Sequence, residues 1–341
     1  MSAVPAEGRA ARISRHGLLL AGLAAVGLAA FAASLAIGYA PLDLGRAMAD
    51  ALAGHASLEA LVFTELRLPR ALMGALAGFS LGLAGAAMQG LLRNPLADAG
   101  VIGVSGAAAL GAVLAFYSGL SSAFALALPV GGVLGAALAV AALYGLAGRG
   151  SATMTLILAG VAINSLAGAL TSLALNLSPN PYAALEVMFW LMGSLADRSM
   201  AHVTLILPLL VVGWGLILAC GPALDALTLG EDTATSLGFH MGRVRAMLVI
   251  GTALSVGATV AVTGAVGFVG LVVPHILRPL VGGRPGRLLL ASGLGGAVLV
   301  LGADIAVRAI GVRPELKLGV VTALIGAPFF LSLLWRLRRE A

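Results

Sequence analysis

Long apolar runs separated by short polar segments divide this chain almost from end to end. A helix needs about 20 apolar residues to cross a bilayer, and the alternation typical of a membrane β-barrel is absent. The pattern predicts an all-α polytopic membrane protein, one domain over residues 1–341. We place about ten transmembrane helices at 17–40, 71–92, 99–117, 123–147, 153–175, 201–219, 246–266, 267–281, 288–311 and 318–335.

Two of these predictions rest on the length of a run. Residues 246–281 are too long for one helix and slightly short for two, and the glycine-rich "TGAVGFVGLVVPH" inside them indicates a tight reversal. We therefore expect a short eighth helix that is shielded by protein. The first run is longer than the apolar core of a signal peptide, about 7–15 residues, so we expect it to be retained as the first span.

Composition excludes a soluble domain, since 60% of residues are hydrophobic, 10% are charged and mean hydropathy is +1.06. Forty-seven glycines are typical of closely packed membrane helices. The net charge of +6 indicates membrane topology rather than nucleic-acid binding. The single cysteine, Cys220, excludes an internal disulfide.

Basic residues between the spans predict the topology, because cytoplasmic loops carry an excess of arginine and lysine. With a cytoplasmic tail at 1–16, most basic residues lie inside, namely Arg9, Arg12, Arg15, Arg93, Arg149, Arg243, Arg245, Arg278, Arg284, Arg287, Arg336, Arg338 and Arg339. The outer ones are Arg46, Arg67, Arg70, Arg198, Arg308, Arg313 and Lys317. Both termini are therefore predicted to be cytoplasmic, and the outer charges require a reason of their own.

Catalytic and metal-binding patterns are missing from the sequence. A Walker A loop needs a lysine after its second glycine, but the only lysine is Lys317, which follows Leu316. P-loop hydrolysis of ATP by this chain is thus excluded. The five histidines are scattered, and we interpret His275 in "VPHILR" as a structural histidine rather than a ligand. We expect no enzyme activity, no bound cofactor and no metal site.

The predicted fifth span carries small and polar residues along one face, at Thr153, Gly160, Asn164, Gly168 and Thr171. A polar stripe in lipid is costly unless it faces water or a partner. Two interpretations remain open: these residues line a translocation pathway, or they form a packing seam with Asn164 as interhelical glue.

Two further segments have open interpretations. Asp304 and Arg308 stand at i, i+4, which favours an ion pair; the pair either neutralises itself or offers Arg308 to an external acidic partner. The loop 221–245 is the longest polar segment predicted inside. Glu231 suits the first turn of a short helix there, and Gly238 its end. We favour a docking element over a plain connector.

A faint internal repeat accompanies these features. The dipeptide Gly85-Ala86 lies ten residues before Pro95, and Gly264-Ala265 lies ten residues before Pro274. If the second to fifth and seventh to tenth spans are related, their orientations are opposite in the predicted topology. Inverted repeats are a common transporter architecture.

Five ordered motifs identify a family resemblance. "RLPRALMGALAGFSLGLAGAAMQGLLRNPLADAGVIGVSGAA", "LGEDTATSLG", "GFVGLVVPHILRPL", "ADIAVR" and "VVTALIGAPFF" resemble the FecCD-type permeases of type II ABC importers for vitamin B12, haem and ferric siderophores. The resemblance implies ten helices, a homodimer in the bacterial inner membrane, two ATP-binding subunits that use the ATP, and a periplasmic substrate-binding protein.

The resemblance also implies residue roles. The segment that couples to the ATPase would contain Gly230, Glu231, Ala234, Leu237 and Gly238. Docking of the binding protein would use Arg67, Arg70 and Arg308. A cytoplasmic gate would comprise Asn94, Leu96, Thr153 and Met154. Met154 departs from the small hydroxyl residue usual in vitamin B12 permeases, and Lys317 departs from the family's E-x-P-x-G.

The cargo prediction rests on "MFWLMGSLADR" at 188–198, which resembles haem permeases, so haem is predicted, with ferric siderophore or vitamin B12 as alternatives. A competing class is an ion-coupled secondary transporter, which needs a midplane acidic site, yet Asp304 is the only carboxylate deep in a predicted span. An intramembrane enzyme would need clustered histidine or acidic residues at one depth, which the pattern lacks.

Overall fold

The computed structural model describes residues 6–38, 42–55, 57–124, 126–148, 153–312 and 314–340. Arg149 and Arg313 of the predicted topology lie outside these ranges, as do residues 1–5 of the predicted tail. Within the ranges the regular structure is helical. The α-helices are α1 (Ala6–Ala36), α2 (Leu44–Ala53), α3 (Leu58–Leu61), α4 (Leu68–Leu92), α5 (Val104–Tyr117), α6 (Leu120–Ala123), α7 (Ala127–Ala147), α8 (Thr153–Asn176), α9 (Pro181–Leu191), α10 (Met200–Ala219), α11 (Gly221–Leu227), α12 (Glu231–Ser236), α13 (Met241–Thr252), α14 (Ala258–Thr263), α15 (Val269–Leu277), α16 (Pro285–Ile310) and α17 (Leu318–Glu340).

Membrane-spanning helices occur where the apolar runs predict them. In the described part of the chain, seven helices are long and apolar enough to cross a membrane, and α5 and Leu318–Ser332 are shorter apolar helices. Two of the seven contain π-helical turns, at Val62–Arg67 and Ala253–Gly257, which join α3 to α4 and α13 to α14. With α15, these helices match the predicted segments, and the all-α polytopic fold is confirmed.

The chain reverses between the seventh and eighth predicted segments, as the glycine-rich sequence there predicts. The chain leaves α14 at Gly264, whose φ of 71° is left-handed, a region that glycine enters without steric cost. The next helix, α15, has only nine residues, and most of them are buried. Protein therefore shields this short helix, as expected for a segment that cannot span the bilayer.

Two helices of ten or more residues, α2 and α9, fall outside the predicted spans. Asp43 caps α2 by accepting a hydrogen bond from the Arg46 N–H, and Asn180 caps α9 through the Ala183 N–H. Both helices have about half the length of a span, so a search for long apolar runs misses them. Their capping residues were the available signal, since aspartate and asparagine are preferred N-caps.

The centre of the fold is the pair α4 and α16. Glycines replace side chains where the helices cross, so that a Cβ added to Gly78 would lie 2.7 Å from Ala297 Cα. A Cβ on Gly82 would overlap the carbonyl oxygen of Ser292. Within an 18-residue apolar window, 78% is buried in the Leu58–Leu92 span but only 17% in the Met154–Asn176 span. The chain thus surrounds α4 and leaves α8 largely uncovered.

Candidate functional site

The predicted coupling residues lie in one turn at an end of the helical bundle. Gly230 (φ 105°) and Gly238 (φ 93°) bound α12 in backbone conformations that favour glycine. Ala234 is fully buried, whereas Leu237 is 61% exposed. Glu231, in the first turn, forms an ion pair with Arg245 of α13. Buried Ala234 and the Glu231–Arg245 ion pair therefore fix the turn to the rest of the protein, while Leu237 leaves an apolar side chain exposed at its surface.

The same segment is tied to the rest of the fold through α11. Leu224 is fully buried and lies against Gly90 of α4, where an added Cβ would be 3.3 Å from its Cδ2. The Asp225 carboxylate accepts a hydrogen bond of 2.8 Å from the Gly286 N–H at the start of α16. Local sequence does not predict this contact, because the two residues lie 61 positions apart.

The predicted gate residues lie just after α4 and at the start of α8. Asn94 follows α4, is exposed, and its Oδ1 accepts a 2.9 Å hydrogen bond from the Leu96 N–H. This Asx turn explains the Asn-Pro sequence there. Met154, at the start of α8, is 65% exposed. The side chain of Thr153 lies outside what the structure describes, so the gate stays a prediction.

The predicted fifth span is α8, and its polar face divides into two parts. Gly160 is buried, and its carbonyl oxygen would lie 2.5 Å from a Cβ on Gly103. Asn164 is exposed but lies against Gly106 of α5, whereas Gly168 faces open space. Thr171 is half-buried. One part of the stripe therefore packs against the chain itself and the other part remains uncovered.

Two of the predicted docking arginines bind the end of α1. The Arg67 Nη1 donates hydrogen bonds to the carbonyl oxygens of Leu35 (2.8 Å) and Ala36 (2.6 Å). Arg308 Nη1 donates to the Ser34 carbonyl (2.8 Å), and its Nη2 donates to the Ser34 Oγ (2.7 Å). The last carbonyls of a helix lack partners within it and carry partial negative charge. These arginines therefore cap α1.

The third docking arginine, Arg70, joins a buried charge network. Its Nε and Nη2 lie 3.0 and 2.8 Å from Asp304 Oδ1, and it also contacts both carboxylate oxygens of Glu315. Arg308 Nη2 lies 2.9 Å from Asp304 Oδ2, so the i, i+4 ion pair expected from the sequence is present. The Asp304 side chain is only 2% exposed. The network holds two arginines and two carboxylates and is formally neutral.

These contacts occupy the three arginines within the chain. Arg67 and Arg308 are each 6% exposed. Docking through them would need a partner carboxylate to reach past or replace the present contacts, so the docking role stays a prediction. Glu315 and Ser34, which complete the clusters, were not identified from the sequence.

Part of the 188–198 segment, on which the cargo prediction rests, lies near the start of α17. Met188 and Phe189 of α9 and the following Met192 are between 40% and 46% exposed. The Lys317 Nζ lies 5.5 Å from the centre of the Phe189 ring, a cation–π distance. This surface therefore combines exposed apolar side chains with the positive charge of Lys317. In the described residues, no group of three or more histidine, cysteine or acidic side chains could hold a metal ion.

Comparison with known proteins gives a consistent family. Residues 26–336 match the FecCD transport family. The vitamin B12 import system permease BtuC of Vibrio cholerae is 43% identical over 263 residues, 76% of this chain and 78% of the relative. A probable siderophore transport permease of Bacillus subtilis, YfhA, is 39% identical over 272 residues, 77% of this chain and 78% of the relative.

A solved structure supports the same assignment. One chain of a metal-chelate type ABC transporter in an inward-facing conformation superposes with a TM-score of 0.81 at 30% identity. The match covers 94% of this chain and 99% of that chain. Together with the confirmed membrane helices and the ordered motifs, these likenesses identify the chain as a multi-pass ABC importer permease that belongs to the FecCD transport family.

Proposed function

We propose that this chain is the membrane subunit of an ATP-driven importer for a large metal chelate or corrinoid. It works as a homodimer with two ATPase subunits and a periplasmic substrate-binding protein in the bacterial inner membrane. Residues 1–341 form one permease domain with both termini, the tail 1–16 and the loop 221–245 in the cytoplasm, and its helices contain an inverted repeat. The family match over residues 26–336 is the observation that carries this proposal.

The α12 turn supplies the contact with the ATPase. Leu229 and Leu237 are 68% and 61% exposed at its tip, although neighbouring Ala234 is fully buried. Two exposed leucines on a polar segment indicate a surface that a protein partner covers. An ATPase cleft that encloses this tip would move α12 when ATP closes the ATPase dimer, and the chain needs no nucleotide site of its own.

The uncovered face of α8 supports a homodimer with a pathway between its copies. Asn164 is exposed within an apolar span, and a polar group that faces hydrocarbon is costly. A second copy, or a water-filled path between two copies, would remove that cost. Asn164, Gly168 and Thr171 would then line the pathway, and Asn94, Leu96, Thr153 and Met154 would close its inner end.

Haem is the first cargo to test. The exposed Met188, Phe189 and Met192 offer apolar contacts to a flat macrocycle, and Lys317 would attract its carboxylates. The names of the relatives support vitamin B12 and ferric siderophores equally. The selectivity of the partner binding protein would discriminate among these cargoes more strongly than this chain does.

Reconstitution tests the function directly. The chain, its ATPase and its binding protein are placed in liposomes, and ATP-dependent uptake of haem, a ferric siderophore and vitamin B12 is compared. We expect uptake of one cargo that requires ATP and both partners. Uptake by the chain alone on an ion gradient would instead identify a secondary transporter. An ATP-dependent uptake restricted to the siderophore or vitamin B12 would keep the importer and reject haem.

The variant that tests the proposed ATPase contact is Leu237→Asp, which places a charge on the α12 turn without changing a buried residue. We expect it to weaken ATPase binding and to abolish uptake while the chain still folds. The matched control is Leu52→Asp, since Leu52 is also exposed but lies on α2.

A further inference from the structure

The inner end of α16 is capped by the coupling loop rather than by its own sequence. The N-cap residue Arg284 makes no side-chain cap, and the helix begins with Pro285, which has no N–H. Gly286 thus presents the first free N–H, and Asp225 of α11 accepts it at 2.8 Å. The negative charge of this carboxylate also interacts favourably with the positive end of the helix dipole.

Close backbone packing reinforces this contact. A Cβ added to Gly286 would lie 2.8 Å from the Gly221 carbonyl oxygen and 2.9 Å from Asp225 Oδ2. The space between α11 and α16 therefore admits no side chain at Gly286. A displacement of α11 must either carry the start of α16 with it or break the Asp225 hydrogen bond.

The helix that Asp225 holds extends through the whole fold. α16 has 26 residues, a length of about 39 Å at a rise of about 1.5 Å per residue. It packs on α4 with backbone contact at Gly78, Gly82 and Gly296. Such close packing leaves little room for one helix to bend independently of the other, so the two helices form a stiff pair.

The far end of α16 carries the buried charge network. Asp304 and Arg308 belong to its last two turns, and both contact residues of other helices. Arg70 comes from α4, and the Ser34 carbonyl comes from α1. One continuous helix therefore joins the contact at Asp225 to Arg70 and Arg308, two of the three arginines that the family resemblance assigns to docking of the binding protein.

We propose that Asp225 is a positioning residue through which the coupling loop controls the outer docking surface. A shift of α12 moves α11, Asp225 holds the start of α16 to α11, and the α4–α16 pair carries the shift to Arg70 and Arg308. The inference rests on the proposed importer function. It assigns to Asp225 a role in the coupling of ATP binding to docking, not in ATP hydrolysis or cargo binding.

The experiment measures that coupling in the complete importer. The Kd of the binding protein is determined with the ATPase empty and with a non-hydrolysable ATP analogue bound, and the ratio of the two values is the coupling. Coupling between two sites commonly amounts to about 5–150-fold in affinity. We expect Asp225→Ala to bring the ratio close to 1, and Asp225→Asn, which keeps an oxygen acceptor, to retain part of it.

Controls separate this role from a structural one. Asp50→Ala removes a carboxylate from α2, where it pairs with His55, and should leave the ratio unchanged. An Asp225→Ala complex that assembles with the unaltered ratio overturns the inference. If that variant fails to assemble, an Asp225→Asn ratio equal to that of the unaltered protein overturns it instead. If the unaltered complex itself shows neither ATP-dependent uptake nor partner binding, the proposed importer function is wrong.

Discussion

Replacement of Arg70 by methionine tests the buried charge network most directly. Methionine fills a similar volume but removes a charge that contacts Asp304 through Nε and Nη2 and contacts Glu315 through Nη1 and Nη2. Among the described residues, Asp304 would keep Arg308 alone as a charged partner, and Glu315 would lose the arginine that binds it. The network would change from neutral to a net charge of −1.

The two carboxylates should respond differently. Asp304 is 2% exposed, and the loss of one partner from a buried pair costs about 3–5 kcal/mol. Glu315 is 20% exposed, so water can replace part of the lost contact, and an exposed pair is worth only about 0–1 kcal/mol. We therefore expect Arg70→Met to lower the free energy of unfolding by about 3 kcal/mol, mostly through Asp304.

Cys220 provides the assay. It is the only cysteine of the chain, is 2% exposed, and burial raises the pKa of its thiol to about 11. The thiolate is the reactive form, so a thiol-reactive dye should label Cys220 only after unfolding. Unfolding in detergent is followed by this labelling for Arg70→Met, Asp304→Asn, Glu315→Gln and the two double variants with Arg70→Met.

The double variants measure the coupling. If Asp304 dominates, Arg70→Met with Asp304→Asn should be much less destabilising than the sum of the single changes, whereas Arg70→Met with Glu315→Gln should be nearly additive. An Arg70→Met cost below about 1 kcal/mol, the value of an exposed pair, would refute the reasoning. A larger coupling to Glu315 than to Asp304 would refute it as well.

Three other predictions concern packing and hydrogen bonding. Gly82→Ala should destabilise the chain by about 1–3 kcal/mol or more, because its Cβ would overlap the Ser292 carbonyl. The control Gly302→Ala has open space on α16 and should be neutral or stabilising. If Cys220 labelling shows equal destabilisation by both variants, the packing argument is contradicted. Trp214→Phe removes the 3.0 Å hydrogen bond to the buried Ser80 Oγ and should cost about 0.5–1.5 kcal/mol, of which Ser80→Ala in the same chain should recover part. A thermal unfolding curve in which the double variant is no better than Trp214→Phe would show that the bond contributes nothing. Ser34→Ala should lower stability by about 1.5–3 kcal/mol, since its Oγ accepts from the charged Arg308 at 2.7 Å. Ser178→Ala, which removes an exposed hydroxyl hydrogen bond, serves as its control, and equal melting temperatures would contradict a stabilising contact between Arg308 and the Ser34 Oγ.

Local sequence pattern predicted those structural features that depend on one segment of the chain alone. The apolar runs predicted the membrane helices because lipid forces each spanning segment to satisfy its own backbone groups. The glycines at 230 and 238 predicted the limits of α12, since left-handed backbone favours glycine within the turn itself. Asp304 and Arg308 predicted their ion pair because one helix brings them together.

The tertiary structure decided which distant groups meet. The sequence gives Arg67 and Arg308 the same charge as any outer arginine, yet the packing of α1 directs both onto carbonyls at its end. Asp225 reads as a polar residue of a loop, but the fold places it on the first free N–H of α16. The apolar pattern predicts which segments lie in the membrane, because that requirement is local. Which helices pack against each other depends on contacts between distant segments, and the sequence of one segment carries no information about those contacts.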